Sequence, residues 1–113
     1  MDCLFCKMAA GIIRPDIVHE DEHVLAFRDI APQAPVHVLL IPKKHIANLE
    51  DAAASDAPLL AHLLLTAQKV ARDLGVASDG YRLVNNCNAH GGQTVYHLHV
   101  HLLAGRHLSW PPG

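Results

Sequence analysis

The sequence predicts an α+β domain of two helices and five strands. Three observations predict it. The stretch from Asp56 to Leu74 repeats apolar residues at helical spacing. Five shorter stretches are β-branched or alternate apolar with polar, and turn-forming residues bound them. Their order is helix, three strands, helix, two strands, which sets the helices apart from antiparallel runs of strands. The 113 residues suit one domain, residues 1 to 113, with a single core.

Each element has a local reason. "CLFCKMAAG" spaces Leu4, Phe5 and Met8 for a short helix that stops at Gly11. "DIVHEDEHVLAFRD" reads as strands Ile17 to Glu20 and Val24 to Asp29, joined by a tight turn at Asp21-Glu22. "APQAP" is a loop, because Pro32 and Pro35 stop pairing. "VHVLLIP" is β-branched and apolar between prolines, the pattern of a buried strand. The long helix carries an apolar stripe of Leu59, Leu60, Leu63, Leu64, Ala67, Val70, Ala71 and Leu74. Ser55 or Asp56 can cap it, Pro58 fits its first turn, and Gly75 stops it. "YRLVNN" is a strand, "CNAHGGQT" a polar loop, and "VYHLHVHLL" the last strand.

Composition narrows the function. The chain is 50% hydrophobic and 18% charged, so it buries a core and is not a disordered tail. A net charge of −2 gives no global field for nucleic acid or an anionic membrane. The cluster Lys43-Lys44-His45 reads as a solvated strand end rather than a phosphate site. No apolar run reaches membrane-spanning length, and "MDCLFCKMAAG" lacks the basic-then-apolar layout of a signal peptide. A cytoplasmic protein with a small-molecule partner is expected. The three cysteines are an odd number, and Cys3 and Cys6 are too close to frame a disulfide scaffold. A reducing compartment fits, with Cys3-x-x-Cys6 as a metal pair.

The last strand carries the chemistry. Side chains alternate on a strand, so His97, His99 and His101 share one face, while Leu98, Val100 and Leu102 share the other. Successive histidines stand roughly 6.5–7 Å apart, too far for one metal to take all three. His37, on the "VHVLLIP" strand, can hydrogen-bond into the row if the two strands are neighbours. A partner on one ring nitrogen fixes the tautomer and leaves a lone pair on the other, as a nucleophile requires. The preceding loop brings Asn86, Gly91, Gly92, Gln93 and Thr94 close to that face. Its glycines let backbone N–H groups approach an anion, and Gln93 and Thr94 add side-chain donors. Imidazoles beside such donors suit phosphoryl chemistry. The polar outer face of an edge strand would alternate in the same way, so spacing alone leaves both readings open.

"QTVYHLHVHLL" resembles the histidine-triad signature, His-φ-His-φ-His-φ-φ with φ apolar. "LAFRDIAPQAPVHVLLIPKKHI", "GYRLVNN", "GGQTVYH" and the closing "WPPG" are similar to the Hint branch of that superfamily, the purine nucleoside phosphoramidases. The resemblance runs from Cys3 to Gly113 without a large insertion. It implies a five-stranded, mainly antiparallel sheet, with two subunits pairing into a homodimer that has a ten-stranded sheet.

The resemblance also implies roles. His99 would attack the α-phosphorus of a purine nucleoside 5′-phosphoramidate, and water would release the monophosphate from the nucleotidyl-histidine. His101 would contact phosphate oxygens, the His97 backbone would orient His99, and His37 would support the row. Asn86 and the backbone around Gly92 and Gln93 would hold phosphate or the ring. Thr94 stands where the branch often has serine, and its hydroxyl would assist the leaving group. Leu4, Phe5, Met8, Phe27 and Ile30 would form the purine slot, and Asp29 would bind the ribose hydroxyls. On residue type alone, each of the five apolar positions reads as core packing. Arg28 replaces a histidine common in the branch, which opens base preference. Trp110 would reach the partner subunit's site. Catalysis would need no metal. Some relatives hold structural zinc at the positions of Cys3, Cys6, His45 and His97 and others fold without it, so the resemblance leaves zinc open. Two alternatives stand beside it: dinucleoside polyphosphate hydrolysis, against which "WPPG" and "GGQTVYH" argue, and a nucleotide-binding interaction protein with incidental hydrolysis, which an intact triad does not exclude.

Overall fold

The computed structural model describes residues 2–113. In chain order its elements are α1 (Leu4–Ala9), β1 (Ile17–Glu20), β2 (Val24–Arg28), β3 (Val36–Pro42), α2 (Ala57–Asp73), β4 (Tyr81–Val84), α3 (Asn88–Gly91) and β5 (Val100–Ala104). The strands form one sheet in the order β1-β2-β3-β5-β4. Every neighbouring pair is antiparallel. The expected α+β architecture is therefore the observed one.

The sheet is covered on both sides. Leu63, Ala67, Val70 and Ala71 of α2 pack on Val24, Ala26, Val38, Leu40, Leu98, Val100 and Leu102. The alternate strand residues Leu25, Phe27, Leu39 and Ile41 pack with Cys3 and Phe5 at α1. Two covered faces explain why β2 and β3 read as continuous apolar runs. Burying each large aliphatic side chain contributes about 1.5–3 kcal/mol before chain entropy is counted. No helix among the described residues is long and apolar enough to cross a membrane.

The turn at Asp21 ties the first hairpin to α2. Asp21 Oδ1 accepts from the N–H groups of His23 and Val24, at 2.8 and 2.9 Å. Its Oδ2 accepts from Nε2 of His19 and of His62, at 2.9 and 2.8 Å. Burial works to raise this carboxyl, but the four donors hold it well below the usual carboxylate range.

Five features differ from expectation. The last strand begins at Val100, so His97 and His99 lie ahead of the ladder. Pairing with β3 ends at Leu40–Val100. The Pro42 carbonyl accepts instead from the His97 ring, and Leu98 N–H donates to Ile46 O at 2.6 Å. The faces still alternate: Leu98, Val100 and Leu102 are in the α2 core. The strand beginning at Tyr81 ends at Val84, before the two asparagines. The expected glycine loop contains α3, which Gly92 ends in the left-handed region at φ +81°. Leu64 is exposed rather than in the core stripe, because the sheet reaches only one side of α2. The Asp56 side chain accepts from Ala53 N–H and pairs with Lys44 at 2.6 Å, bracing the turn before α2 instead of capping the helix.

Candidate active site

The histidines are held by different partners, and the chemistry of each partner fixes a proton. His99 Nδ1 lies 2.7 Å from the His97 carbonyl oxygen. A carbonyl only accepts, so Nδ1 carries the proton and Nε2 carries the lone pair. His97 Nε2 lies 2.7 Å from the Pro42 carbonyl. By the same rule His97 has its proton on Nε2 and its lone pair on Nδ1. Burial pushes His97 below the usual imidazole range, with His45 and His99 adding to it against the Pro42 bond.

His37 and His101 form a second chain. Gln33 N–H donates to His37 Nδ1 at 3.0 Å. The His37 proton therefore sits on Nε2, which lies 2.8 Å from His101 Nδ1. His101 accepts there and keeps its own proton on Nε2. Burial, then the neighbouring His99 and His37, pushes His101 down to about 4, so the ring is neutral at neutral pH. Burial also lowers His37, with Asp29 opposing. The rings of His99 and His101 are 5.1 Å apart. The row thus offers a lone pair at His99 Nε2 and an N–H at His101 Nε2, the pair an attack on phosphorus needs.

Among the described residues, two groups of metal-type ligands arise from this packing. One is Cys3, Cys6, His45 and His97, with ligand atoms all within 4.8 Å of one another. His97 Nδ1 is 3.4 Å from Cys3 Sγ, 3.5 Å from Cys6 Sγ and 3.2 Å from His45 Nδ1, and Cys6 Sγ is 3.2 Å from His45 Nδ1. Ligand bonds of about 2.0–2.3 Å give tetrahedral edges of roughly 3.3–3.8 Å, so this set fits zinc. The other group is Asp29, His37 and His101. The Gln33 amide occupies His37 Nδ1, so a cation on Nε2 would need a ring stripped of both protons. In that group His37 and His101 are joined by a hydrogen bond, and Asp29 Oδ2 stands 3.5 Å from His37 Nε2.

The other expected residues divide. Phe5 and Phe27 are buried edge to face, at 5.6 Å, and Met8 packs with them. Phe5 also stands edge-on to the His99 ring at 5.2 Å. Leu4 is half-exposed, and Ile30 and Trp110 are fully or largely exposed. Asp29 Oδ1 accepts from Ala31 N–H at 2.8 Å. Arg28 lies 3.7 Å from Asp16. Thr94 is exposed, and the Asn86 backbone lies against Gly91.

Gln93 is a correction. Its Nε2 donates to the carbonyls of Ala47 and Val95, at 2.8 and 3.0 Å, and its Oε1 accepts from Asn88 N–H at 2.9 Å. Its carboxamide pins the loop and does not stand ready for an anion. The N–H groups of Gly92 and Gln93 close the α3 turn onto Ala89 and Asn88. Asn85, overlooked beside Asn86, donates to the His99 carbonyl at 2.9 Å. Strand parity does not reach it, since β4 ends at Val84.

Residues 11–108 match the HIT domain family. An uncharacterized HIT-like protein of Synechococcus elongatus is 57% identical over 112 residues, covering 99% of this chain and 97% of its own. Its counterpart in Synechocystis is 55% identical over the same shares. Among solved structures, a HIT family hydrolase from Legionella pneumophila superposes with a TM-score of 0.97 and 56% identity, over 99% of this chain and all of that one. A histidine triad protein from Clostridium difficile gives 0.94 and 45%, over 96% and 95%.

Proposed function

The chain belongs to the HIT domain family, and from that premise we propose that it hydrolyses the P–N bond of purine nucleoside 5′-phosphoramidates. The observation that carries the reading is the 2.7 Å bond from His99 Nδ1 to the His97 carbonyl, which leaves Nε2 as the lone-pair nitrogen. The similarity to proteins named HIT family hydrolases supports hydrolysis in general. The motifs of the Hint branch support the phosphoramidate.

In this reading His99 Nε2 attacks the α-phosphorus, and the P–N electron pair leaves with the amine. A covalent nucleotidyl-His99 remains until water attacks phosphorus and frees the nucleoside monophosphate. His101 Nε2–H donates to a phosphate oxygen as charge builds there. His37 holds His101 in that tautomer. Thr94 supplies a hydroxyl toward the leaving amine, and Asn85 holds the His99 carbonyl. Phe5, Phe27 and Met8 make an apolar wall for the purine, with Leu4 and Ile30 at its exposed rim. Asp29 accepts from ribose hydroxyls. Trp110 acts in the site of a partner subunit of a homodimer. Cys3, Cys6, His45 and His97 would hold zinc, whose part would be to cross-link α1 to the catalytic segment; four protein ligands leave it no open position for substrate.

The test is single-turnover hydrolysis of adenosine 5′-phosphoramidate, with mass spectrometry of the acid-free quench. Wild type is expected to release adenosine monophosphate through a nucleotidyl adduct. His99→Ala is expected to stay folded, bind the monophosphate and lose roughly 10³-fold or more in rate. Turnover that survives in His99→Ala removes His99 from its role.

A further inference from the structure

We propose that Cys3 and Cys6 form a thiol–disulfide modification site that controls the nucleophile through Phe5 and His97; the link to turnover rests on the function proposed above. Cys3 is the extended N-cap of α1, and its Sγ accepts from Cys6 N–H at 3.3 Å. The two sulfurs lie within 4.8 Å of each other and are not bridged. Cys3 is buried while Cys6 is half-buried, so Cys6 is the sulfur that a reagent meets first. A chain that leaves Cys3 extended and enters a helix before Cys6 brings the two sulfurs to the same side, within reach of a short bridge.

The coupling is direct. Phe5 lies between the two cysteines in sequence, and its ring rests edge-on against His99 at 5.2 Å and against His97 at 6.0 Å. Both sulfurs also face His97 Nδ1. Bridging them draws the sulfurs to about 2.05 Å. That movement shifts the Phe5 ring, and it withdraws two partners from His97, the residue whose carbonyl holds His99. A metal held by the four-residue set would lose both its sulfur ligands.

The oxidant is a small-molecule disulfide. The Cys6 thiolate attacks one sulfur of the reagent and expels one thiolate. The Cys3 thiolate then attacks Cys6 Sγ, breaks the mixed disulfide and expels the second thiolate. The protein pair loses two electrons, the reagent gains them, and the protons of the two thiols end on the released thiols. Reduction by dithiothreitol reverses the change.

The experiment uses purified Cys87→Ser protein, as isolated and after chelator treatment, incubated with oxidised glutathione. Expected are a Cys3–Cys6 cross-link by peptide mass spectrometry, shifted His99 ring resonances in a histidine-labelled sample, and turnover lowered roughly tenfold to a hundredfold. Dithiothreitol should restore all three, and Cys6→Ser should respond to none. Failure to form the cross-link, a cross-link that leaves the His99 resonances unmoved, or equal inhibition of Cys6→Ser overturns the proposal. If the reduced protein turns over no phosphoramidate, the functional reading fails, and the cross-link and ring resonances still decide this one.

Discussion

The Nε2 proton of His37 points at Nδ1 of His101, 2.8 Å away. Gln33 N–H sets its direction by taking His37 Nδ1. Two residues outside the triad's last ring therefore decide that His101 presents an N–H, and not a lone pair, on its other side. This matters because an anion needs a donor there.

His37→Phe keeps the volume of the buried ring and removes that clamp. His101 then samples both tautomers, and its donor is present only part of the time. The expected loss is roughly tenfold in kcat, about 1–1.5 kcal/mol, with little change in KM. Stopped-flow measurement on a phosphoramidate separates the two parameters. Equal losses in His37→Phe and His99→Ala would place His37 in the chemistry itself.

The pH dependence of stability follows from His101. In the unfolded chain its imidazole takes a proton near the usual 6.5, and in the fold only near 4. Between those values the unfolded state binds more protons, so stability falls as pH falls from 6.5 toward 4 and gains nothing further from this group above 6.5. His37, lowered by burial, acts in the same direction. Urea unfolding at several pH values should show the decline, and His101→Asn should flatten it.

Zinc should stabilise the fold through Cys3, Cys6, His45 and His97. At free metal about 1,000 times Kd the gain is about 4 kcal/mol, visible as a higher Tm. Cobalt substitution should give the strong visible bands of a tetrahedral thiolate site. Cys6→Ser should lose them and Cys87→Ser should keep them. A Tm indifferent to chelator and metal would leave the four residues a packing cluster.

Gln93→Ala removes three hydrogen bonds to backbone in a buried setting. It also releases the turn that holds Asn88 at φ +62°, a conformation uncommon outside glycine. The expected cost is roughly 2–3 kcal/mol in urea unfolding, with faster amide exchange across Asn88 to Val95. A change under 0.5 kcal/mol would mean that the loop has another anchor.

Much of the candidate site was legible in the sequence. The alternation from His97 to Leu102 put imidazoles and aliphatics on opposite faces, and that parity survives although the strand proper starts at Val100. The pair Cys3 and Cys6 was visible, and so was the apolar run of β3. Gln93 misled because its residue type announces a donor without saying where that donor goes. Asn85 was missed because adjacent identical residues carry no local signal of which one faces the row. The strand boundary moved because a side chain, His97, took the Pro42 carbonyl that pairing would have used.

The sequence by itself determined the five strands and the two helices α1 and α2, their order and the two faces of the last strand, because helical and strand periods are local properties; α3 was not among them. Only the tertiary structure decided the protons and the clusters. Whether a histidine nitrogen donates or accepts depends on the group opposite it, and for His97 and His101 those groups, the Pro42 carbonyl and the His37 ring, come from far along the chain. Cys3 and His97 lie near opposite ends of the sequence, yet their ligand atoms meet at 3.4 Å. That meeting follows from α1 packing on the face of the sheet opposite α2, a choice made by the buried surfaces of Phe5, Phe27 and Leu39 together and by no segment alone.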